Sequence, residues 1–276
     1  MPELPEVETI ARRLRRSVIG KRVAAISLSG KPLRRPIAPD FADRLRNHVI
    51  RHVHRHGKYL ILEMNPRAWW LVHLGMSGRL LYHSPGTPAA EHTHAIVRFC
   101  DQSELHYRDP RRFGLLALYE ARRLSEIPEL SRLGRDPLRS RITSRWLWPL
   151  LSDSRAPVKA FLLDQRRIAG LGNIYVCEAL HLARIHPGRR CNGIEYEESA
   201  RLARAVRQVI REAALHHGTS FSDFVDSDGR TGIHQRHLRV YQREGRKCRR
   251  CPAVIRRLVQ SNRSSFFCPR CQPEKG

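Results

Sequence analysis

The stretch 248–271, CRRCPAVIRRLVQSNRSSFFCPRC, carries two Cys-x2-Cys pairs that are separated by residues 252–267. Each pair can form a turn that presents two thiolates, and two such turns meeting around one Zn²⁺ give a tetrahedral site. The alternatives are an iron site or a remnant without metal. Four protein ligands leave no position for water, so we expect one structural Zn²⁺ rather than a catalytic one. The predicted ligands are Cys248, Cys251, Cys268 and Cys271.

The remaining cysteines do not extend this pattern. Cys100, Cys177 and Cys191 are scattered, and an odd total of seven does not suggest a disulfide framework. The segment 240–276 around the two pairs is too short to bury much apolar surface by itself. We therefore expect the metal to supply its folding energy.

Charge is the strongest global signal in the sequence. There are 51 Lys and Arg against 26 Asp and Glu, which gives a formal net charge of +25. Such an excess attracts polyanions, and nucleic acid is the first candidate through phosphate neutralisation. A membrane surface is the second candidate, but no strongly amphipathic basic helix stands out. Because no apolar run is long enough to span a bilayer and no signal peptide is recognisable, we expect a cytoplasmic protein without a membrane partner.

The hydrophobic pattern changes twice along the chain. Residues 5–18 have helical spacing, and short apolar or alternating runs between 22 and 120 indicate an antiparallel β domain. Helical periodicity returns from about 140. We predict a β domain over 1–123, a linker over 124–140, a helical domain over 141–239 and a metal-binding hairpin over 240–276.

The first residues, MPELPEVETI, fit a helix start only in part. Pro5, Glu6 and Glu8 suit a first helical turn, where a missing N–H costs nothing and carboxylates favour the helix dipole. Pro2 and Glu3 lie before that helix, so their role needs another explanation.

Five collinear motifs together resemble one family, bacterial formamidopyrimidine-DNA glycosylase, a base-excision repair enzyme. The closest group to exclude is endonuclease VIII, which shares the fold, typically has Gly where this chain has Leu4, and prefers oxidised pyrimidines. Leu4 and the DPRRFG motif favour the purine-lesion branch. The motifs are MPELPEVET at 1–9, HLGMSG at 73–78, DPRRFG at 109–114, GLGNIY at 170–175 and NRSSFFCPRCQ at 262–272.

The resemblance implies an α+β fold. It begins with an N-terminal antiparallel β-sandwich and a flanking helix, followed by a helix-two-turn-helix domain that ends in a four-cysteine zinc β-hairpin. It also implies a monomeric, bifunctional glycosylase and abasic-site lyase. The expected partner is double-stranded DNA that contains 8-oxoguanine or formamidopyrimidines.

The resemblance assigns the chemistry to Pro2, Glu3 and Lys58. Removal of Met1 would give Pro2 a free secondary amine, and an α-amino group has a pKa near 8, far below that of lysine. Such an amine can form a Schiff base with the anomeric carbon of the damaged nucleotide. Glu3 resembles the family's general acid, which protonates the sugar ring oxygen. Lys58 matches the lysine that contacts phosphate and assists turnover of oxidised purines.

DNA contacts are implied at further positions. Met76, Arg111 and Phe113 match the residues that fill the space left by the extruded lesion, although Met76 and Phe113 could equally belong to an ordinary core. Asn173, at a helix start, and Arg263, in the hairpin, match phosphate contacts. His73 is expected to touch the DNA backbone, and Glu6 and Tyr241 to line the lesion pocket.

One segment departs from the family pattern. Residues 227–241, SDGRTGIHQRHLRVY, cover the lesion-capping loop, where family members often have Pro at the position of Thr231 and an aromatic residue at that of Ile233. His234 and His237 also replace the usual pattern. The ranking of 8-oxoguanine and formamidopyrimidines as substrates therefore stays open. Two alternatives to the purine-specific enzyme also stay open: an endonuclease VIII-like specificity, and a zinc DNA-binding protein that has lost catalysis.

Overall fold

The computed structural model describes residues 2–65, 68–220 and 226–274. The chain divides into two compact units. Unit 1 consists of Met1–Arg132 and His216–Gln235, and unit 2 consists of Leu133–Leu215 and Arg236–Gly276. The four-part domain division inferred from the sequence stays a prediction.

Unit 1 begins with helix α1 (Leu4–Ser17), within one residue of the predicted span. Its apolar stripe of Val7, Ile10 and Leu14 is fully buried, as helical spacing of apolar residues predicts. Pro5 lies in the first turn, where it costs no hydrogen bond. The helix packs against strands of both sheets of this unit, namely His52–His56, Tyr59–Asn65 and Arg79–His83.

Two antiparallel four-stranded sheets make up the rest of unit 1, together with helix α2 (Phe41–Leu45) and helix α3 (Pro128–Ser131). One sheet has the strand order β1-β6-β7-β5 and the other β2-β3-β4-β8. The strands are β1 (Val23–Leu28), β2 (His52–His56), β3 (Tyr59–Asn65), β4 (Ala68–His73), β5 (Arg79–His83), β6 (Thr93–Phe99), β7 (Glu104–Arg108) and β8 (Leu115–Glu120).

The inner faces of both sheets share one hydrophobic core. Phe99 and Tyr107 come from the first sheet, Trp70 and Leu62 from the second, and all four are at most 1% exposed. Alternating inward and outward residues along each strand are what a β-sandwich requires. The predicted sandwich with a flanking helix is therefore confirmed.

Unit 2 is helical up to its terminal hairpin. Helix α6 is buried on nearly every side, which fits its almost continuous apolar sequence, and it packs against α5 and α7. The elements are α4 (Ser144–Ser152), α5 (Val158–Leu163), α6 (Asn173–Ala183), α7 (Tyr196–Leu215), β9 (Arg256–Gln260) and β10 (Arg263–Phe267).

The hairpin β9–β10 turns through Ser261 and Asn262. Both residues have positive φ, 48° and 58°, and Gln260 pairs with Arg263 across the turn. A two-residue loop with positive φ at both positions is the type I′ turn that matches the twist of antiparallel strands. The turn places Arg263 at the first position of the returning strand, where its side chain is exposed.

Over the described residues, no helix is both long and apolar enough to cross a lipid bilayer.

Candidate active site and phosphate-binding residues

Pro2 and Glu3 lie at the N-terminus of α1 and are buried rather than frayed. Glu3 is the N-cap residue, and its backbone N–H donates to Oε2 of Glu6 at 2.8 Å, one half of a capping box. Glu3 is 3% exposed and Glu6 is 1% exposed. The two carboxylates are thus held in a fixed local geometry directly beside Pro2. The expected removal of Met1 concerns a residue outside the described ones.

Glu6 also ties α1 to the segment 216–220 of the same unit. Its Oε1 accepts a hydrogen bond from the backbone N–H of Thr219 at 2.7 Å. Gly218 has φ +79°, and a Cβ there would lie 2.7 Å from Glu6 Oε1, so this close approach requires glycine. The structure therefore assigns Glu6 a scaffolding contact, while its expected place in a lesion pocket stays a prediction.

Lys58 and His73 are neighbours at one end of the second sheet. Lys58 is 8% exposed in the turn before β3, and His73 ends β4 with its ring 4.8 Å from that of Tyr59. Burial, followed by the charges of Lys58 and Arg34, lowers the pKa of His73 to about 4. Nδ1 of His73 accepts from the backbone N–H of Gly75 at 3.0 Å, so the neutral ring carries its proton on Nε2. His73 can therefore donate a hydrogen bond to phosphate without being charged.

Met76, Arg111 and Phe113 are exposed, so the ordinary-core alternative is excluded for Met76 and Phe113. Met76 is 39% exposed and Phe113 is 47% exposed. The guanidinium of Arg111 lies 4.8 Å from the ring centre of Phe113, within cation–π range. Apolar side chains held at the surface beside a stacked arginine are suited to enter a base stack.

The two loops that carry these three residues are joined by Asp109, which is fully buried. Its Oδ1 accepts from the hydroxyl of Ser77 at 2.6 Å, and its Oδ2 accepts from the backbone N–H of Gly114 at 2.8 Å. Ser77 in turn accepts from the backbone N–H of Arg111 at 3.2 Å. Sequence reasoning did not assign this positioning role, although the aspartate opens the DPRRFG motif.

Glycine makes the close approach of these loops possible. Gly75 has φ +60°, and a Cβ there would lie 2.4 Å from the backbone carbon of Phe113. At Gly114 a Cβ would lie 1.6 Å from the Tyr107 hydroxyl. Any larger residue at either position would push the loops apart.

In unit 2, Asn173 and Arg263 are brought together through Ser264. Asn173 is the first residue of α6, and its Nδ2 donates to the carbonyl of Ser264 at 2.9 Å. The buried amine of Lys159 donates to the same carbonyl at 3.0 Å and to the Ser265 hydroxyl at 2.6 Å. Lys159 was not predicted, and it fixes the strand next to Arg263. That the Asn173 amide itself holds phosphate stays a prediction, because in the structure its nitrogen donates within the protein.

The four predicted cysteine ligands converge. Their sulfur atoms all lie within 4.8 Å of one another, and Cys251 and Cys268 are 3.4 Å apart. A tetrahedron with Zn–S bonds of 2.3 Å has S···S edges of about 3.8 Å, so four thiolates in this arrangement fit one Zn²⁺. Backbone N–H groups of Arg250 and Cys271 donate to the sulfurs of Cys248 and Cys268 at 3.4 Å, as expected around thiolates.

Glu178 on α6 anchors the chain that leads into the hairpin. It is fully buried and accepts backbone N–H bonds from Arg239, Val240 and Tyr241 at 2.8–2.9 Å. Burial raises the pKa of Glu178, and these three hydrogen bonds oppose that shift. A lone Glu in an apolar helix was the available sequence signal, because such a residue must find buried donors.

Comparisons with known proteins cover the chain almost from end to end. Three family models match: the formamidopyrimidine-DNA glycosylase N-terminal domain over residues 1–116, the H2TH domain of the same enzymes over 133–225, and a zinc finger found in FPG and IleRS over 245–273. A formamidopyrimidine-DNA glycosylase of Pelotomaculum thermopropionicum is 40% identical over 276 residues, and the alignment covers 100% of each chain. The chain belongs to the formamidopyrimidine-DNA glycosylase family.

Solved structures agree with this glycosylase assignment. The Lactococcus lactis Fpg in complex with an abasic site containing DNA superposes with a TM-score of 0.91 at 31% identity, covering 99% of this chain and 100% of that one. MutM in complex with carbocyclic 8-oxo-G containing DNA gives the same TM-score, identity and coverage. The predicted fold class is confirmed over its full length.

The segment that departs from the glycosylase family pattern has a compact local structure where it is described. The N–H of Gly232 donates to the Ser220 hydroxyl at 2.8 Å, and the N–H of His234 donates to the carbonyl of Gly218 at 3.0 Å. His234 is fully buried and its ring stacks on that of His216, with the two Nδ1 atoms 3.1 Å apart. These bonds lie on both sides of residues 221–225, which are outside the described ones.

Proposed function

We propose that this protein is a bifunctional DNA glycosylase and abasic-site lyase that removes oxidised purines from duplex DNA. The observation that carries the proposal is the buried pair Pro2 and Glu3 at the start of α1, in a chain that matches glycosylases over its full length. The first residues of a domain are usually exposed and mobile, whereas Pro2 and Glu3 are buried.

Excision begins with attack of the Pro2 amine on the sugar C1′ atom, after removal of Met1. The C1′–N9 bond breaks and the base leaves with its bonding electrons and a proton, while Glu3 protonates the ring oxygen O4′ so that the sugar opens. The product is an iminium between Pro2 and C1′. Since a secondary amine carries no second N–H, this iminium cannot become neutral by losing a nitrogen-bound proton and stays an electron sink.

Strand cleavage then follows from the same iminium. A proton leaves C2′, the C3′–O bond breaks, and the 3′ phosphate departs with the electron pair. A second elimination expels the 5′ phosphate in the same way, and hydrolysis of the Schiff base frees Pro2. Lys58 and His73 are placed by this proposal against the phosphates that must be held during these steps.

Met76, Arg111 and Phe113 replace the extruded lesion in the base stack. Extruding a base costs a few kcal/mol of stacking and pairing, and an inserted thioether and ring recover part of it. Arg111 donates to the orphaned partner base. In unit 2, Arg263 and the N-terminus of α6 at Asn173 bind phosphate, and a Zn²⁺ held by the four cysteines fixes the fold of the hairpin.

Borohydride trapping tests this proposal. Reduction of the iminium on a duplex with 8-oxoguanine opposite cytosine is expected to give a covalent protein–DNA adduct at Pro2, located by peptide mass spectrometry. A variant with one alanine inserted before Pro2 serves as the matched control and is expected to give no adduct. Binding without any adduct from correctly processed protein would favour the non-catalytic DNA-binding alternative.

A second substrate resolves the specificity. The same assay on a duplex with thymine glycol is expected to give slower excision than on 8-oxoguanine. A reversed order would assign the protein the pyrimidine preference of endonuclease VIII.

A further inference from the structure

Helix α7 carries a face of arginines that the proposed mechanism does not use. Its buried side holds the apolar residues that pack into unit 2, and its outer side holds Arg204, Arg207 and Arg211 at spacings of three and four residues. Residues at these spacings share one face of a helix. Together with Arg141, Gln208, Glu212 and Leu215, these arginines line a cavity of about 590 Å³.

Within the described part of the chain, these arginines lack acidic partners. Among the residues that the structure describes, no carboxylate lies within ion-pair distance of Arg141, Arg204, Arg207 or Arg211, although ion pairs are frequent elsewhere. Glu212 is the acidic residue of the cavity, and it accepts from Arg239 at 2.9 Å and from Gln208 at 2.7 Å.

The arginines repel one another in this arrangement. Burial, followed by the charges of Arg141, Arg211 and Arg204, lowers the pKa of Arg207. Like charges three and four residues apart also destabilise a helix. A surface that only needed to be soluble would gain from acidic residues at these spacings, so the arrangement fits a ligand that supplies the negative charge.

The spacing fits a nucleic-acid strand. From Arg204 to Arg211 the helix rises by about 10.5 Å at 1.5 Å per residue. Phosphates of one DNA strand succeed each other by about 3.4 Å along the duplex axis, so this face spans about three of them. Each guanidinium carries a full positive charge, because arginine stays protonated at neutral pH, and can therefore neutralise one phosphate.

We propose that the α7 arginine face, Arg204, Arg207 and Arg211 with Arg141 beside them, binds backbone phosphates of duplex DNA as a sequence-independent contact separate from Asn173 and Arg263. This inference rests on the proposed function, since it assumes that duplex DNA is the substrate. Its consequence is a contribution to binding of undamaged DNA, through which a repair enzyme must search.

The test is the salt dependence of binding to a long undamaged duplex. A variant with Arg204→Gln, Arg207→Gln and Arg211→Gln is compared with a control that loses three exposed arginines of unit 1, Arg16→Gln, Arg46→Gln and Arg51→Gln. With about 0.9 counterions released per phosphate contact, the slope of log K against log salt is expected to become shallower by 2–3 in the α7 variant. The control is expected to change the slope by less than about one.

Two further measurements keep the result interpretable. Glutamine is a good helix former, so thermal unfolding is expected to show an intact α7. Replacing the same three arginines with lysine is expected to restore the slope, because charge rather than shape carries this part of the binding. Equal slopes for the α7 variant and its control would overturn the proposal. Borohydride trapping on a short lesion duplex reports the proposed function separately, because the adduct depends on Pro2 and not on α7.

Discussion

The two units hold their functional loops by different means. In unit 1, buried carboxylates accept backbone N–H bonds: Asp109 joins the loops of Met76 and Phe113, and Glu6 joins α1 to the segment at Thr219. In unit 2, Glu178 accepts backbone N–H bonds from the chain that leads into the hairpin, but the hairpin itself has a small core around Ile255 and Phe266 beside four clustered cysteines. Unit 1 can therefore rely on apolar burial and hydrogen bonds, whereas the hairpin depends on a metal.

This difference separates the conditions that should damage each unit. Carboxylates lose their acceptor strength when they are protonated, so unit 1 should be sensitive to acid. Chelators compete with the four thiolates for Zn²⁺. Because the hairpin depends on the bound metal for its folding energy, it should be sensitive to metal removal. Acid should therefore destabilise unit 1 before the hairpin, and metal removal should destabilise the hairpin before unit 1.

Metal removal is expected to have the largest effect. Structural Zn²⁺ binding is worth about 10–16 kcal/mol in small zinc modules, so chelation or Cys248→Ser should unfold the hairpin and weaken DNA binding. Zinc content, circular dichroism and affinity for lesion DNA measure this. Cys100→Ser, which changes an exposed cysteine outside the cluster, is expected to alter none of them. Normal incision by the Cys248→Ser variant would contradict a structural role for the metal.

Glu3→Gln is expected to lower the rate of base excision while leaving the stability of unit 1 nearly unchanged. Glutamine keeps an acceptor at the N-cap, so the free energy of unfolding should change by less than about 1 kcal/mol. Loss of the general acid should lower the rate of 8-oxoguanine excision about 10²–10⁴-fold. Single-turnover kinetics measure the excision, and the cleavage of a preformed abasic site should be affected less. An unchanged excision rate would remove Glu3 from the mechanism.

Glu8 tests the acid sensitivity of unit 1. Burial raises the pKa of Glu8, but the hydrogen bond and charge of Arg55, 2.8 Å away and 1% exposed, outweigh it and leave that pKa lowered. A depressed pKa contributes stability above the unfolded value near 4.5, and this stability is lost as pH falls through the folded pKa. Glu8→Gln should cost about 3 kcal/mol at neutral pH, because it removes the carboxylate charge that faces the buried Arg55 guanidinium.

The dependence of stability on pH should differ between the parent protein and the Glu8→Gln variant. The free energy of unfolding of the parent protein, measured in urea, should decrease below pH 4.5. That of the Glu8→Gln protein should decrease less over the same range. If the two profiles stay parallel into acid, the Glu8–Arg55 pair does not contribute as described.

Apolar patterning was enough to predict α1 and the antiparallel β character of residues 22–120, but β2 and β7 contain no apolar run. β7, ELHYR, buries Glu104 and His106, which bond to each other at 2.7 Å. β2, HVHRH, buries Arg55 against Glu8. A buried polar side chain needs a partner, and for Arg55 that partner is Glu8, which is far away in the sequence and therefore outside any local pattern. In β7 both partners lie in the strand itself, but polar residues at its buried positions interrupt the apolar run.

At the candidate site, too, contacts between residues distant in sequence were not predicted. The family resemblance assigned roles to Pro2, Glu3 and Phe113, and these roles stay predictions. The residues that hold the functional loops in place were not predicted, because Asp109 and Lys159 act through bonds to Gly114 and Ser264 that only the folded chain brings within reach. Positioning roles depend on tertiary structure, whereas chemical roles follow from residue type.

Asp109→Asn is expected to loosen the two loops of unit 1 without touching the chemistry. Asparagine can accept one of the bonds from Ser77 and Gly114, but its NH₂ group then faces a donor, which should cost about 1–3 kcal/mol of stability. Excision of a base-paired lesion should slow more than cleavage of a preformed abasic site, because only the first needs Met76 and Phe113 inserted. Equal slowing of both reactions would argue against a role in positioning.

Arg263→Gln is expected to have the smallest effect, and it tests whether the hairpin binds DNA through one positioned arginine. Arg263 is exposed at the start of β10, whereas Arg257 is exposed on β9 and pairs across the hairpin with Phe266. A phosphate contact at Arg263 should make the salt slope for lesion DNA shallower by about one when it is removed. Arg257→Gln removes the same charge from the same metal-held hairpin and should leave the slope unchanged. If both variants make the slope shallower by the same amount, the hairpin contributes to DNA binding through its net charge and not through one positioned arginine. The hydrogen bonds of Lys159 and Asn173 to the Ser264 carbonyl would then stabilise the fold without positioning a phosphate contact.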